Sequence, residues 1–350
     1  MSGRLAEAVG LGRGLLVGGV PRARSLAKLE ARRLLRQLPN RGRGAVVIAM
    51  TEHMGDVVAV EPVVRHVRSL HPGNRLLFAV SRRFADLVRH HPDVDGLLPL
   101  SCLGTWMYLK PAADFQAVYD LQTHGRWCDK TRLIFERNDA SVHIDNYYTH
   151  GCLLAVACRN AGLPVLSDSP KLHLPAGYRP PAPARVPPDT VILHTRSNQA
   201  QRDWQAARWH ELARALLAAG RPVAEVGLVP SLGGVPGVLD LCGRLDVPAT
   251  AAAISQAALF VGIDSGPAHL AHAVGTPGVI LLGLYGPYAR YMPYSGRYAD
   301  GTLATVLQYH APASELPVQT VLAAVNERLA RPRPPHAATG ERRHPDLQPS

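Results

Sequence analysis

The stretch from Phe260 to Tyr288 constrains the fold of this 350-residue chain more than any other part. It reads as a buried strand, a polar turn, a short helix and a second buried strand, the pattern of an open α/β sheet. The turn Asp264-Ser265-Gly266-Pro267 falls where the first strand ends and the helix begins. At such a point free backbone N–H groups and the positive end of the helix dipole face outward. Ligands bind at that edge of an α/β sheet, and phosphate is a favoured guest. Asp264 adds an acceptor for hydroxyls and His269 a group that can carry positive charge, so a sugar joined to a diphosphate would use all of these groups.

The rest of the chain supplies two such halves. Ala45–Met50, Arg75–Val80, Gly96–Leu100 and Ala117–Leu121 read as strands, with helices expected over Val57–Leu70, Arg82–His91 and Tyr147–Ala161. Pro62 is the main objection to an unbroken first helix. The run Arg179–Pro188 holds five prolines and reads as a linker. Beyond it a second series begins with a strand at Val191–His194. A helix over Trp209–Ala219, a strand at Pro222–Gly227, a helix at Ala249–Ala258, the Asp-Ser-Gly-Pro segment and a last helix at Val318–Leu329 follow. The expected organisation is a basic extension (1–44), a first Rossmann-like domain (45–178), the linker (179–188), a second Rossmann-like domain (189–330) and a disordered tail (331–350). Neither half carries GxGxxG, which weakens a nicotinamide reading.

Charge sorts the partners. Of the net +11, residues 1–44 carry +8 and residues 331–350 carry +2, leaving 45–330 at +1. A nearly neutral body argues against a nucleic-acid face. Residues 21–43 place Ala27, Ala31, Leu34, Leu35 and Leu38 at helical spacing with arginines on the other faces. That helix is expected either on an anionic membrane surface or as a solvated extension. The run Val9–Val20 is apolar but glycine-rich and carries Arg13, with no clear cleavage site after it, so a cytoplasmic protein rather than a secreted one is expected. The five cysteines, at 102, 128, 152, 158 and 242, form no CxxC and fit no zinc spacing, and are expected reduced.

A second candidate site lies at His53-Met54-Gly55-Asp56, after the first strand. Gly55 permits a tight turn and close approach of backbone. Asp56 reads as a helix N-cap, as a general base for an acceptor hydroxyl, or as both. His53 would contact acceptor or orient Asp56, and His194 would touch donor or serve structure. Asp93-Val94-Asp95 matches the metal-binding DxD but reads as a surface turn, and His269 with His272 lacks a third ligand, so no metal site is expected. Trp204 and Trp209 read as packing residues.

Three blocks together resemble glycosyltransferase family 9, which includes the lipopolysaccharide heptosyltransferases. They are Met54-Gly55-Asp56-Val57-Val58 with Pro62, Arg202-Asp203-Trp204, and Asp264-Ser265-Gly266-Pro267-Ala268-His269-Leu270-Ala271 with Gly286-Pro287. The likeness covers about residues 45–330. It implies a GT-B fold, two Rossmann-like domains facing across a cleft, and inverting sugar transfer from a nucleotide donor without a metal or other cofactor. It further implies Asp56 as catalytic base and Arg202 and His269 on the donor diphosphate. Asp264 would bind donor hydroxyls, and the backbone N–H groups of Ser265, Gly266, Pro267, Ala268 and His269 would cradle phosphate. Gly286 would lie near donor or acceptor. The implied partners are a nucleotide-sugar donor, ADP-heptose favoured, and a lipid-linked or lipopolysaccharide acceptor at the inner face of the inner membrane. Three departures fall on the donor side: Arg202 stands where the family often has Lys, Leu228–Gly234 holds no acidic residue for the nucleoside, and Tyr288 replaces the usual Thr. An epimerase or hydrolase on the same fold, or a non-catalytic sugar-nucleotide binder, are the competing readings.

Overall fold

The computed structural model describes residues 19–135, 141–175 and 177–332. The apolar run before Gly19 and the tail after Pro332 lie outside them.

A helix opens the described chain, α1 (Gly19–Gln37), followed by β1 (Ala45–Ala49), α2 (Met54–Ala59), α3 (Glu61–Leu70), β2 (Arg75–Ser81), β3 (Gly96–Leu100), α4 (Leu103–Leu109) and β4 (Ala117–Asp120). A short antiparallel hairpin, β5 (Arg126–Trp127) and β6 (Ile134–Phe135), leads to α5 (Leu153–Asn160). The second half holds β7 (Val191–His194), α6 (Ala206–Ala218), β8 (Val223–Glu225), β9 (Val238–Asp240), α7 (Val247–Gln256), β10 (Leu259–Ile263), α8 (Gly266–Ala273), β11 (Gly278–Leu282), α9 (Gly296–Ala299), β12 (Ala304–Gln308) and α10 (Val318–Ala330).

Both large sheets are wholly parallel. The first runs β3-β2-β1-β4 and the second β12-β11-β10-β7-β8-β9. In each, the strand order reverses beside the domain's own first strand, between β1 and β4 and between β7 and β10. Loops leaving strands at such a reversal diverge and open a crevice, which is where α/β sheets bind ligands. Beside the reversal, β1, β7 and β10 are buried on both faces, which is why they read as nearly unbroken apolar runs. One apolar core runs without a break from Ile48 and Val57 of the first domain to Ala268, Leu270 and Tyr291 of the second.

Several expectations are corrected. Pro62 does not sit in a continuous helix: the chain breaks at Val60 and restarts as α3 with Pro62 in its first turn, where a missing N–H costs nothing. Arg82–Leu87 forms a 3₁₀ turn rather than a helix to His91, and Gly151, at φ +114°, divides the expected Tyr147–Ala161 helix. The short elements α4, β9 and β12 were not expected. The largest correction concerns residues 1–44. Ala27, Ala31, Leu34 and Leu38 do not face a membrane or solvent; they cover the first sheet beside Val47, Leu77 and Trp106. The sole acid of α1, Glu30, turns inward to Ser101, Thr105 and Arg82. The helix is part of the domain. Leu34→Ala is therefore expected to lower unfolding free energy by about 2–4 kcal/mol, measured by urea titration, whereas a loose extension would show no change.

Candidate functional site

The turn after β1 and the turn after β10 come together. Built on Gly55, a Cβ would lie 2.7 Å from the His269 ring, and on Gly266 it would lie 2.5 Å from the Met54 sulfur. Only glycine permits this approach of α2 and α8.

On the first-domain side, His53 is the N-cap of α2 and Asp56 is the third residue of the helix. Asp56 is therefore not the N-cap. Its Oδ2 reaches back to accept from the His53 N–H at 3.1 Å, the capping-box arrangement. The same oxygen accepts from Arg126 Nη2 at 2.8 Å. Arg126 opens the β5–β6 hairpin after β4, so the pair spans the strand-order reversal of the first sheet. Burial pushes the Asp56 carboxyl up, but the Arg126 charge and the contacts with His53 outweigh it and hold the group well below the usual carboxylate range. Burial lowers the Arg126 pKa and Asp56 raises it, with a net rise, so both partners stay charged. The His53 ring is largely exposed, 3.7 Å from Asp56.

On the second-domain side, Arg202 follows β7 in a 3₁₀ turn, with Nη1 3.2 Å from Asp264 Oδ2 and the guanidinium 4.0 Å from the centre of the Tyr285 ring. His269 Nε2 lies 3.7 Å from the other Asp264 oxygen. Arg202 Nε, His269 Nδ1 and the Tyr294 hydroxyl are buried with no hydrogen-bond partner. Buried polar atoms are normally satisfied, so these three are free to meet a polar ligand. Ser265 is the N-cap of α8, but its hydroxyl donates to Ile263 O and faces His194 Nδ1 instead of capping the helix. The first turn of α8 is thus uncapped. Pro267 carries no N–H and the His269 N–H already bonds Ser265 O, so the expected cradle of five N–H groups narrows, with Gly266 and Ala268 its helical donors. Burial depresses His194 to about 4 and His272 to about 3, leaving both neutral near pH 7.

Between the two sides stands a group of tyrosines that sequence reasoning missed. Tyr147 and Tyr148 of the first domain pack on Tyr285, Tyr288 and Tyr291 of the second, with Tyr148 and Tyr291 rings 4.7 Å apart. Burial pushes the Tyr147, Tyr148 and Tyr291 phenols far up, so they remain neutral. Tyr288 thus closes the interface. Gly286, at φ +55°, turns the chain between Tyr285 and Tyr288 and is itself exposed. Glu225, at the end of β8, is buried and accepts from the N–H groups of Ser231 and Leu232; it shapes the loop that lacks an acid of its own.

Among the described residues one group could hold a metal: Glu61, His91 and His173. Its bonding does not fit. His91 Nδ1 accepts from the Asp93 N–H, so Nε2 keeps its proton and donates to Glu61 at 3.0 Å, whereas a metal-bound histidine donates through its other nitrogen. Arg65 occupies both Glu61 oxygens. Asp95 of the DxD is likewise taken, by Arg68 and the Leu76 N–H. Trp204 and Trp209 pack edge to face in the outer core of the second domain.

Twin parallel sheets whose ligand edges meet define the GT-B class. Solved structures agree at the level of fold: a glycosyltransferase family 9 protein of Veillonella parvula aligns with 82% of this chain and 97% of its own at TM-score 0.61 and 16% identity. The Escherichia coli heptosyltransferase WaaC with ADP aligns over 82% and 99% at TM-score 0.58 and 17% identity. In sequence, residues 151–300 match the family model described as glycosyltransferase family 9 (heptosyltransferase). Lipopolysaccharide heptosyltransferase 3 of Escherichia coli is 32% identical over 111 residues, 29% of this chain and 33% of that protein, so the match spans about a third of the relative's length. Residues 151–300 are thus similar to glycosyltransferase family 9, and the fold is that of its solved members.

Arg126→Met is expected to raise the Asp56 pKa, since only the contacts with His53 then oppose burial. The depressed pKa stabilises the fold above pH 3.8 and that stabilisation is lost as pH falls; the variant should lose it at neutral pH too. Carboxyl chemical shifts followed with pH measure it, and an unchanged titration contradicts the pairing.

Proposed function

We propose that this protein transfers a sugar from a nucleoside-diphosphate donor to a hydroxyl of a cell-envelope glycan, with inversion and without a metal. The observation that carries the reading is the approach of α2 to α8, which sets a carboxylate held ionised on one side of the cleft and an unsatisfied cationic cluster on the other. The acceptor oxygen attacks the anomeric carbon, its proton passes to Asp56, and the bond to the diphosphate breaks with its electron pair. Asp56 is ionised at any physiological pH, though Arg126 weakens it as a base, so proton transfer would come late, as the attacking oxygen becomes acidic. Arg202, His269 and the uncapped first turn of α8 would take up the charge developing on the leaving group. Asp264 would orient both Arg202 and His269 and meet donor hydroxyls. Single displacement inverts the anomeric centre and needs one carboxylate.

ADP-heptose is the favoured donor and a lipopolysaccharide core the favoured acceptor. Support comes from relatives: WaaC has been solved with ADP and with ADP-2-deoxy-2-fluoro heptose, and the curated relative is a lipopolysaccharide heptosyltransferase. The proposed location is the cytoplasmic face of the inner membrane. No helix among the described residues is long and apolar enough to cross a membrane.

The test is transfer from ADP-heptose to heptose-deficient lipopolysaccharide in EDTA, with the product's anomeric configuration read by NMR. Full activity and an inverted linkage are expected. Dependence on Mg²⁺ sinks the metal-free mechanism, a retained configuration sinks single displacement, and ADP release with water alone sinks the transferase reading.

A further inference from the structure

The apolar stripe of α1 that faces the first sheet leaves a second, outward face. Leu26 and Leu29 are 58% and 60% exposed there, one helical turn apart. At helical spacing Arg22, Arg33 and Arg36 share that face. Glu30, the one acid of α1, does not offset them, because it is turned inward onto Arg82, Ser101 and Thr105. The β5–β6 hairpin is tied to this helix: Arg24 Nε donates to Thr131 O at 2.8 Å. On the hairpin the cross-strand pair Trp127 and Ile134 is 56% and 48% exposed, with the Arg132 guanidinium 4.8 Å above the Trp127 ring. Two adjoining elements thus carry exposed apolar side chains, with Arg22, Arg33 and Arg36 beside the leucines and Arg132 over Trp127.

We propose that the outer face of α1 and the β5–β6 hairpin dock this protein on an anionic lipid bilayer. A helix lying in a membrane interface places leucines into the acyl boundary and arginines at the headgroups, and exposed tryptophan prefers the same depth. One-sided positive charge selects a negative surface. The placement also has a consequence for the cleft. Glu30 bonds Ser101, just past the carboxyl end of β3, and Arg24 bonds Thr131 of the hairpin, so the part of α1 before Glu30 lies toward the ligand edge of the first sheet. Trp127 adjoins Arg126, the partner of Asp56. Docking through these elements brings the lipid surface to the acceptor side of the cleft. The docking does not depend on which sugar is transferred.

Deleting residues 1–44 is a poor test, since α1 is part of the core. The full chain is instead sedimented with vesicles of phosphatidylcholine, and with vesicles of phosphatidylcholine and phosphatidylglycerol mixed two to one. The wild type is expected to pellet with the mixed vesicles alone. Leu26→Ser with Leu29→Ser, and separately Arg33→Gln with Arg36→Gln, should each weaken this by about tenfold or more while melting temperature stays unchanged. The emission of Trp127, which unlike Trp106, Trp204 and Trp209 is exposed, should shift to the blue on binding, and Trp127→Phe should remove the shift. A wild type left in the supernatant, or binding unaffected by both double variants, overturns the proposal. So does a dimer that the leucine variant dissolves in the absence of lipid, which would assign the face to a second copy of the chain.

Discussion

Everything at this site depends on one close contact, the backbone of α2 against the side chain of His269 and the backbone of α8 against Met54. Neither approach tolerates a β-carbon. Because both helices begin at a strand-order reversal, joining their first turns superimposes the ligand edges of two otherwise independent sheets. The continuous apolar core and the tyrosines at 147, 148, 285, 288 and 291 then hold the two domains in that relation.

The electrostatics follow from the same geometry. Each domain contributes one buried arginine–aspartate pair, Arg126 with Asp56 and Arg202 with Asp264. Burial disfavours the charged form of a carboxylate, and Arg126 is the main group that keeps Asp56 ionised. The pairs differ in what is left over. Arg126 spends one end on Asp56 and the other on Glu52 O. Arg202 keeps Nε unpaired beside the unpaired Nδ1 of His269. The unpaired groups thus lie in the second domain, across from the Asp56 carboxylate that the proposed reaction needs as a base.

The second domain was readable in advance because its signal is local. Strand, turn and helix follow one another from Phe260 to Ala273, and Asp264, Ser265 and His269 fall where their spacing places them. The first domain was readable in its strands but not in its electrostatics. Arg126 lies 70 residues from Asp56 and carries no local pattern; only the β1–β4 pairing brings it near. The tyrosine group was missed for the same reason, since its members come from two domains. Pro267 was credited with an N–H it does not have, a point the residue type alone settles. The helix over residues 19–37 was found by its periodicity, yet periodicity cannot say what covers an apolar stripe. The stripe expected at lipid or in solvent covers the sheet, and the exposed leucines lie on the opposite side.

The division of labour across the cleft is tested most directly by Asp56→Asn, with ADP-sugar binding measured by calorimetry alongside turnover on the acceptor. The amide keeps the size of the side chain and removes its proton affinity, while the Arg202–Asp264–His269 cluster is untouched. The expected result is donor affinity within about threefold of wild type together with turnover lowered by about a thousandfold or more. Near-normal turnover, or donor affinity lost in step with turnover, would contradict a base on one side and a donor site on the other.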